Sequence, residues 1–400
     1  MIDARAARND PDGFRRRLVR KDAGDAFDAW LAADERWRAV VPRVDELRSR
    51  TKLKGKPTPE QLEELKGVKD ELQAAERELA AAEQERDALA LRIPNPPADD
   101  VPDGSTEEDA RELRRSGEPP RLDDPKEHTE IGRFEMERAA RMSGARFGYW
   151  IGDTAQLALA LYRFALDRVA AKGFTTVLPP VLVREEALYG TGAFPSDDQN
   201  VYAIESDGLY LAGTAEIPLA SLHAGEILDA AELPLRYVAF SPCFRREAGA
   251  AGRDTRGMIR VHQFNKVEQF SFCPPETSWD EHELLLANTE ELVRELGLAY
   301  RVVVLPAGDM SSASAKTYDV EIWFPSQERY REVASISNTT DFQARRLNVR
   351  MRGESGGPGT VHTLNGTAVV DRMALAILES FQGDVPDVLR AYGAPERIVS

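Results

Sequence analysis

The chain has 400 residues, of which 42% are hydrophobic and 30% charged, and its net charge at pH 7 is −16. This composition indicates a globular protein with two or three domains, and the negative charge argues against a general nucleic-acid coat protein but leaves room for a local basic patch. Two cysteines, Cys243 and Cys273, are too few for a disulfide framework or a four-cysteine zinc site. The charged N-terminus and the lack of an 18-residue apolar run predict a cytoplasmic protein without a membrane segment.

Residues 26–89 carry two helical patterns on either side of a turn. Apolar residues of the first pattern step by three and four positions, as in a coiled coil, and the same spacing returns from Leu65 to Leu89. Pro42 is expected to kink or end the first helix, and 54–59, KGKPTP, predicts the turn. Eight basic and two acidic residues within 36–56 favour an arm that contacts phosphates, whereas a dimerisation coiled coil is the alternative.

Residues 93–127 are rich in proline and aspartate and have no periodicity, which predicts a linker at a domain boundary. Strand and helix patterns follow from residue 131, and strands outnumber crossover helices. The predicted fold class is therefore α+β, with an antiparallel helical hairpin followed by a mainly antiparallel sheet flanked by helices. We expect domains at 1–98 and 131–400, joined by a linker or wrapping segment at 99–130.

The most informative stretch is 240–270, FSPCFRREAGAAGRDTRGMIRVHQFNKVEQF. It predicts two strands, 237–244 and 258–272, joined by a mobile loop at 249–257. Its arginines and Phe264 suit a nucleotide, because arginine is a rigid fork for phosphate oxygens and an aromatic face can stack a purine. A salt-bridged hairpin without a ligand is the alternative. Neither GxxxxGK[ST] nor GxGxxG between strand and helix is present, so another device must hold the phosphates.

Two further clusters offer oxygens. Thr214 and Glu216 are predicted to alternate along a short extended segment, so that a hydroxyl and a carboxylate share one face. Together with Glu268 they can hold an ammonium group. Glu332 and Ser335 are spaced to share a hard cation such as Mg²⁺, which usually takes only one or two protein ligands.

The last two clusters lie near the C-terminus. Residues 365–367, Asn-Gly-Thr, are predicted to form a polar turn that enters the last helix, 370–381. Arg372, in the first turn of that helix, can meet a phosphate from the side opposite Arg245. Each cluster alone is also compatible with a helix cap, a turn or a solvated charge, and the functional interpretation depends on their occurring together.

The segments GTAEIPL, 240–270, YREVASISNTTDFQARR and HTLNGTAVVDRMALAILES, in this order, resemble the catalytic domain of the seryl-tRNA synthetase family of class II aminoacyl-tRNA synthetases. MIDARAARNDPDGFRRRL, the helical arm, LALRIPNPP, GEPPRLDDPKEH and KGFTTVLPPVLVREEALYGTG resemble its other parts, so the resemblance covers essentially the whole chain. It implies a ligase that activates serine with ATP to seryl-adenylate and transfers it to the 3′ end of tRNA(Ser). It makes 1–98 a tRNA-binding domain and 131–400 a class II catalytic domain.

The resemblance also implies roles for individual residues. It implies serine binding by Thr214, Glu216, Arg245, Glu268 and Thr367. It implies ATP binding by Arg245, Glu247, Val261, Phe264, Glu332, Ser335 and Arg372. Glu332 and Ser335 would be the Mg²⁺ ligands. Arg245, Glu268 and Arg372 would be the catalytic residues. No zinc is expected, because the cysteines of the rarer zinc-dependent form are missing.

The expected partners are L-serine, tRNA(Ser) and a second copy of the chain. By resemblance, the first class motif at 172–180 would build a homodimer, and the helical arm would clamp the long variable arm of the tRNA. The sequence departs from the family at Ile336 and Thr339, in the short arm, and in the seven-residue interval from Asn365 to Arg372, which includes Asp371. These departures are also expected of a specialised or self-resistance paralogue, and an amino-acid ligase or tRNA-binding paralogue is the remaining alternative.

Overall fold

A computed structural model describes residues 2–52, 58–248, 257–352 and 358–399. The chain divides into two compact units, Met1–Pro96 and Pro97–Ser400. The first unit is helical over its described residues, and the strands described below belong to the second. Over the described ranges, no helix combines the length and the apolar character needed to cross a membrane.

The first unit contains four helices within its described residues. Their bounds are α1 Ala4–Asn9, α2 Pro11–Val19, α3 Gly24–Arg50 and α4 Pro59–Ala90. Asp10 caps α2 by accepting a hydrogen bond from the Gly13 N–H, and Thr58 caps α4 in a capping box with Gln61. The predicted turn at 54–59 falls mostly on 53–57, which lie outside the described residues.

Helices α3 and α4 form the predicted antiparallel hairpin. Ion pairs join Arg36 to Glu85 at 2.7 Å, Arg43 to Glu78 at 3.2 Å and Arg48 to Glu76 at 3.0 Å. The residue numbers rise along α3 as they fall along α4, as expected for antiparallel helices. A buried seam between the helices includes Val44, Leu47, Val68 and Ala75. A separate cluster at the base of the unit includes Phe27 and Trp30 from α3 and Ile93 after α4.

The expectation that Pro42 ends the first helix is wrong, because α3 runs from Gly24 to Arg50 with Pro42 inside it. A proline inside a helix costs about 3 kcal/mol, through a lost hydrogen bond and a clash with the preceding turn. Val40 and Val44, on either side of it, both pack in the seam with α4. This packing offsets the local cost, so tertiary contacts override the propensity.

The helices of the second unit are α5 His128–Ile131, α6 Met136–Ser143, α7 Asp153–Ala170, α8 Glu185–Thr191, α9 Glu216–Ser221, α10 Ser278–Glu295, α11 Phe342–Leu347, α12 Asp371–Phe381 and α13 Asp387–Arg390. Its strands are β1 Arg111–Ser116, β2 Phe134–Glu135, β3 Tyr149–Trp150, β4 Thr175–Val177, β5 Leu182–Val183, β6 Tyr202–Ile204, β7 Leu209–Leu211, β8 Ile227–Asp229, β9 Leu235–Phe244, β10 Gln263–Cys273, β11 Tyr300–Val304, β12 Lys316–Phe324, β13 Arg329–Asn338, β14 Arg350–Arg352, β15 Pro358–Thr360 and β16 His362–Val370.

The main sheet has the strand order β1-β11-β12-β13-β16-β10-β9-β4. Every neighbouring pair in it is antiparallel except β4 with β9. This arrangement confirms the predicted α+β class with a mainly antiparallel sheet. Strand β1 comes from segment 99–130, which the sequence predicts to be a linker or wrapping segment, and it extends the sheet beyond β11.

Strand β10 shows how the sheet separates core from cavity. Because side chains alternate between the two faces of a strand, Gln269 and Ser271 turn toward α10, where they bond Thr289 and Glu281. Helices α7, α10 and α12 contribute to the largest apolar cluster, which includes Val267. Lys266 and Glu268 lie on the other face and line a cavity.

Two predicted elements near this cavity have different bounds in the structure. The second hairpin strand begins at Gln263 rather than at 258. Residues 365–367 form no turn and lie inside β16, which is paired with β10 and with β13. Gly366 allows the Ile336 side chain to pack closely against the strand, because a Cβ on Gly366 would lie 3.2 Å from two Ile336 side-chain carbons.

Candidate active site

One cavity of about 270 Å³ lies over the centre of the main sheet. It brings together side chains from β10, β13 and β16, from the starts of α9 and α12, and from the segments that follow β9 and precede β10. All the residues that the resemblance assigns to serine, ATP or metal binding line it: Thr214, Glu216, Arg245, Glu247, Val261, Phe264, Glu268, Glu332, Ser335, Thr367 and Arg372. Residues separated by more than 150 positions in the chain therefore meet in a single site.

Arg245 follows β9 directly and is held over the cavity by the hairpin. Its N–H donates to the His262 carbonyl at 2.9 Å, which continues the hairpin pairing past the strand ends. Its Nε donates to the Gly213 carbonyl at 3.3 Å, and its guanidinium carbon lies 5.3 Å from the Phe264 ring centroid. A fixed guanidinium beside an aromatic face is a geometry suited to a phosphate next to a purine.

Glu247 lies two residues further on, with a φ of +52° that side-chain-bearing residues adopt less readily. Its carboxylate forms an ion pair with Arg260, 2.5 Å from Oε2 to Nη1. The Ala248 N–H donates to the Asn200 side chain at 2.9 Å, which anchors this turn. The predicted mobile loop at 249–257 lies, except for Gly257, outside the described residues.

One end of the cavity holds two carboxylates and a lysine. Glu268 lies directly across from Thr367 in the pairing of β10 with β16, beside a bulge in the register. The Lys266 ammonium forms an ion pair with Glu268 and donates to the Thr214 hydroxyl at 2.9 Å. Burial raises the pKa of Glu268, while the Lys266 ammonium acts in the opposite direction. This end of the cavity can bind an ammonium group and a hydroxyl.

Glu216 is the second carboxylate of this end. Gln343 and Asn365 donate side-chain amide hydrogen bonds to its Oε1, at 2.7 Å and 3.0 Å. Burial, together with the nearby charge of Glu268, raises the pKa of Glu216 to about 7. The predicted extended segment at 214–216 is wrong, because Glu216 is the first residue of α9. The turn into α9 brings the two side chains together, and the Thr214 hydroxyl accepts from the Glu216 N–H at 3.2 Å.

Glu332 and Ser335 lie on β13 at the side of the cavity nearest α12. Ser335 pairs directly with Asp319 of β12, whose Oδ1 is buried and has no hydrogen-bond partner in the described part of the chain. Burial and the charge of Glu332 raise the pKa of Asp319 well above its usual range. Clustered carboxylate and hydroxyl oxygens fit a hard divalent cation such as Mg²⁺. The described ranges contain no cluster of three or more His, Cys, Asp and Glu side chains that could hold a metal.

Arg372 lies in the first turn of α12 and lines the cavity. Its Nη1 donates to the Glu332 carbonyl and lies 3.4 Å from the Glu332 carboxylate, and its Nη2 donates to the Ile259 carbonyl at 3.4 Å. Arg245 and Arg372 both line this cavity, Arg245 from just after β9 and Arg372 from the first turn of α12. The pair can therefore neutralise a chain of phosphates.

Several residues of the cavity were missed by the sequence reasoning. They include Lys266, Ser337 and Asp371 in its lining, and Asp319 and Gln343 next to it. Lys266 and Glu268 are two positions apart on a strand, and this spacing could have indicated a shared face. Gln343 and Asp319 come from elements that are distant in the chain, and only the fold brings them close.

Comparisons with known proteins agree with this geometry. The family model "Seryl-tRNA synthetase N-terminal domain" matches residues 1–97, and "tRNA synthetase class II core domain (G, H, P, S and T)" matches 201–381. A serine–tRNA ligase of Mycolicibacterium vanbaalenii is 44% identical over 99% of both chains.

Two solved structures are similar along nearly the whole chain. The seryl-tRNA synthetase of Pyrococcus horikoshii, complexed with ATP, is 39% identical with a TM-score of 0.94 and covers 100% of this chain and 99% of its own. The cytoplasmic serine–tRNA ligase of Naegleria fowleri, complexed with AMP, is 32% identical with a TM-score of 0.88, covering 97% and 95%. Because the resemblance of both units, the shared fold and the full-length identity agree, the chain belongs to the seryl-tRNA synthetase family of class II aminoacyl-tRNA synthetases.

Proposed function

We propose that the chain is a serine–tRNA ligase that activates serine with ATP and transfers the seryl group to the 3′ end of tRNA(Ser). The observation that carries this proposal is that two arginines suited to phosphates and two carboxylates suited to an amino acid line the same cavity. The N-terminal family match at 1–97 favours tRNA charging over an amino-acid ligase built on the catalytic domain alone. The proposed domains are 1–98 for tRNA binding and 131–400 for catalysis, joined by 99–130.

In the first step a serine carboxylate oxygen attacks the α-phosphorus of ATP. A bond forms between that oxygen and phosphorus, the bond from phosphorus to the β-phosphate oxygen breaks, and pyrophosphate leaves with its electron pair. No protein nucleophile is required, so the site acts by positioning and by neutralising charge. Arg245 is proposed to bind the α-phosphate and the serine carboxylate, and Arg372 the β- and γ-phosphates.

The nucleotide base is proposed to lie at the hairpin end of the cavity. Phe264 would stack the adenine, Glu247 would contact its edge, and Val261 would line the pocket. Arg245 already lies over the Phe264 ring, which supports a base and an α-phosphate in adjacent positions. Glu332 and Ser335 are proposed to hold Mg²⁺, which supplies charge neutralisation at the phosphates when bound.

Serine is proposed to bind at the opposite end, through its ammonium, carboxylate and hydroxyl groups. Thr214, Glu216 and Glu268 would hold the ammonium, and Thr367, which faces Glu268 across the strand pair, would contact the side-chain hydroxyl. A site whose buried polar groups are satisfied only by a hydroxyl can reject alanine by orders of magnitude. The pocket therefore supports selection for serine over a smaller apolar amino acid.

The test of the proposed function is serine-dependent exchange between ATP and labelled pyrophosphate, followed by charging of tRNA(Ser). Exchange with serine and not with alanine, together with charging of the tRNA, is the expected result. A purified, folded chain that shows no serine-dependent exchange would refute the proposal. Exchange without charging of any tRNA(Ser) would instead favour a ligase that uses another acceptor.

The helical hairpin is proposed to bind the variable arm of tRNA(Ser). Arg36, Arg43 and Arg48 belong to the basic segment 36–56 and pair with exposed glutamates of α4. Exposed ion pairs contribute only about 0–1 kcal/mol each. The arginines can therefore exchange these carboxylates for phosphates, which supports a nucleic-acid contact along this arm.

Deleting residues 36–80 is expected to lower charging of tRNA(Ser) at least a hundredfold while serine-dependent exchange stays within twofold of the wild type. The deletion removes the seam of α3 and α4 but leaves the basal cluster of Phe27, Trp30 and Ile93 in place. Both activities are measured on the same preparation, with a tRNA(Ser) that lacks its variable arm as the matched substrate. Equal loss of exchange and charging would contradict the assignment of the arm.

The chain is further proposed to act as a homodimer in the cytoplasm. Strand β4, within the first-motif region 172–180, lies at the edge of the main sheet, and Leu178 beside it is 77% exposed. An open edge with an exposed leucine suits a second copy of the same surface. Light scattering on the purified chain is expected to give the mass of two chains.

Cys243 and Cys273 are buried free thiols, which suits a reducing compartment.

A further inference from the structure

We propose that Asp371 is a positioning residue for the nucleotide, tying β10 next to Phe264 to the start of α12 next to Arg372. The proposal deepens the proposed function, since Phe264 and Arg372 are there assigned to the two ends of ATP. Asp371 would thus set the span between the adenine group and the terminal phosphates.

Both carboxylate oxygens of Asp371 are engaged. The Tyr162 hydroxyl of α7 donates to Oδ1, and the Asn265 N–H of β10 donates to Oδ2 at 3.0 Å. Asp371 is 5% exposed and lines the cavity, and the Tyr162 ring packs against Phe240 of β9 with centroids 5.1 Å apart. One side chain therefore joins α7, β10 and α12 at the wall of the site.

The hydrogen bond between Asn265 and Asp371 matters for ATP because of the residues next to each of them in the sequence. Asn265 follows Phe264 in β10, and Asp371 precedes Arg372 in α12. The hydrogen bond from Asn265 to Asp371 therefore links the neighbour of Phe264 in β10 to the neighbour of Arg372 in α12. A carboxylate at the first residue of a helix is also favoured by the helix dipole.

Hydrogen bonds favour the charged form of this carboxylate. The groups that face it are the Tyr162 hydroxyl from α7 and the backbone N–H and side-chain amide of Asn265 from β10. Burial raises the pKa of Asp371 to about 6, in opposition to these hydrogen bonds. Asp371 is therefore ionised at pH 7.5 and accepts both donors, and it becomes protonated as the pH falls through 6.

The test is Asp371→Asn in serine-dependent ATP–pyrophosphate exchange at pH 7.5. Asparagine keeps the shape but removes the negative charge, so the two hydrogen bonds to Asp371 are no longer charge-assisted and weaken. The expected result is a KM for ATP raised about tenfold, the order expected when hydrogen bonds to a charged group become neutral ones, with kcat and the KM for serine within twofold. The wild-type KM for ATP should rise below pH 6, and this rise should be absent in the variant.

Tyr162→Phe and Tyr300→Phe form a matched pair of control variants. Tyr162→Phe removes one donor to Asp371 and is expected to raise the KM for ATP about threefold. Tyr300→Phe removes an equivalent bond, from a buried hydroxyl to Glu290 at 3.0 Å, on strand β11 near the sheet edge. It is expected to leave the KM for ATP unchanged, which separates positioning of the nucleotide from general loss of a buried hydrogen bond.

The outcomes separate this proposal from the proposed function. If the wild type lacks exchange, the proposed function fails, and calorimetric binding of a non-hydrolysable ATP analogue still compares Asp371→Asn with the wild type. Tenfold weaker binding by the variant supports the tie, and equal binding overturns it. A variant whose KM for ATP and pH profile match the wild type also overturns it. If Asp371→Asn does not fold, as measured by thermal melting, an unchanged KM for ATP in Tyr162→Phe overturns the proposal.

Discussion

Replacing Arg245 with alanine is expected to lower kcat/KM for serine-dependent ATP–pyrophosphate exchange by about 10³-fold. The guanidinium is held by the Gly213 carbonyl and lies over Phe264, where the α-phosphate and the serine carboxylate are proposed to meet. Preorganised donors aimed at developing charge typically contribute factors of about 10²–10³ each to kcat. Exchange kinetics at varied ATP and serine measure the loss.

Arg246→Ala is the matched control for this experiment. Arg246 is the next residue, and its N–H donates to the Asn200 carbonyl at 2.8 Å, a backbone contact that survives the substitution. Its side chain is not part of the cavity lining in the described ranges. Exchange by Arg246→Ala within threefold of the wild type is expected. Retained exchange in Arg245→Ala, at a tenth of the wild-type rate or more, would refute the role given to Arg245.

The second large effect is expected at Glu268. Glu268→Gln should lower kcat/KM for serine by about 10³-fold while the KM for ATP stays within threefold, because a neutral amide cannot pair with the substrate ammonium. The same change leaves the buried Lys266 ammonium without its carboxylate. Breaking a buried pair on one side costs about 3–5 kcal/mol, so the free energy of unfolding should also fall. Steady-state exchange and chemical denaturation measure the two effects.

A double variant distinguishes the two consequences of this substitution. Lys266→Met combined with Glu268→Gln removes both charges, which is often neutral for stability when the volume is kept. The double variant should regain most of the lost stability and none of the activity toward serine. If activity returned together with stability, Glu268 would act through the fold alone and not through contact with serine.

Sequence patterns predicted much of this fold because the hydrophobic periodicities are strong. The last helix expected at 370–381 is α12, Asp371–Phe381, and the first hairpin strand expected at 237–244 is β9, Leu235–Phe244. The cavity lining was predicted through resemblance to a family whose motifs are dense in arginine and glutamate. Arg245 and Glu268 come together because the hairpin pairing of β9 with β10 is local in the chain.

The predictions that the structure contradicts concern residues at which tertiary packing overrides local conformational preference. Asn365 and Gly366 are turn-forming residues, yet they lie in a central strand because β10 and β13 bond it from both sides. Pro42 lies inside a helix whose partner helix supports it. Asp319 and Gln343 belong to the site through strand register and helix placement, which a single sequence does not encode in any local pattern.

The ion pairs inside the cavity have a consequence for the ionic-strength dependence of nucleotide affinity. Arg260 is paired with Glu247, and Arg372 with Glu332. A nucleotide that binds these side chains replaces ion pairs within the protein by contacts with its own phosphates or base. The electrostatic gain on binding is therefore the difference between the energies of these two sets of contacts, which are similar. Added salt screens both sets together. Affinity for the nucleotide should therefore depend weakly on salt, unlike the contacts of an arm that displaces counterions from tRNA.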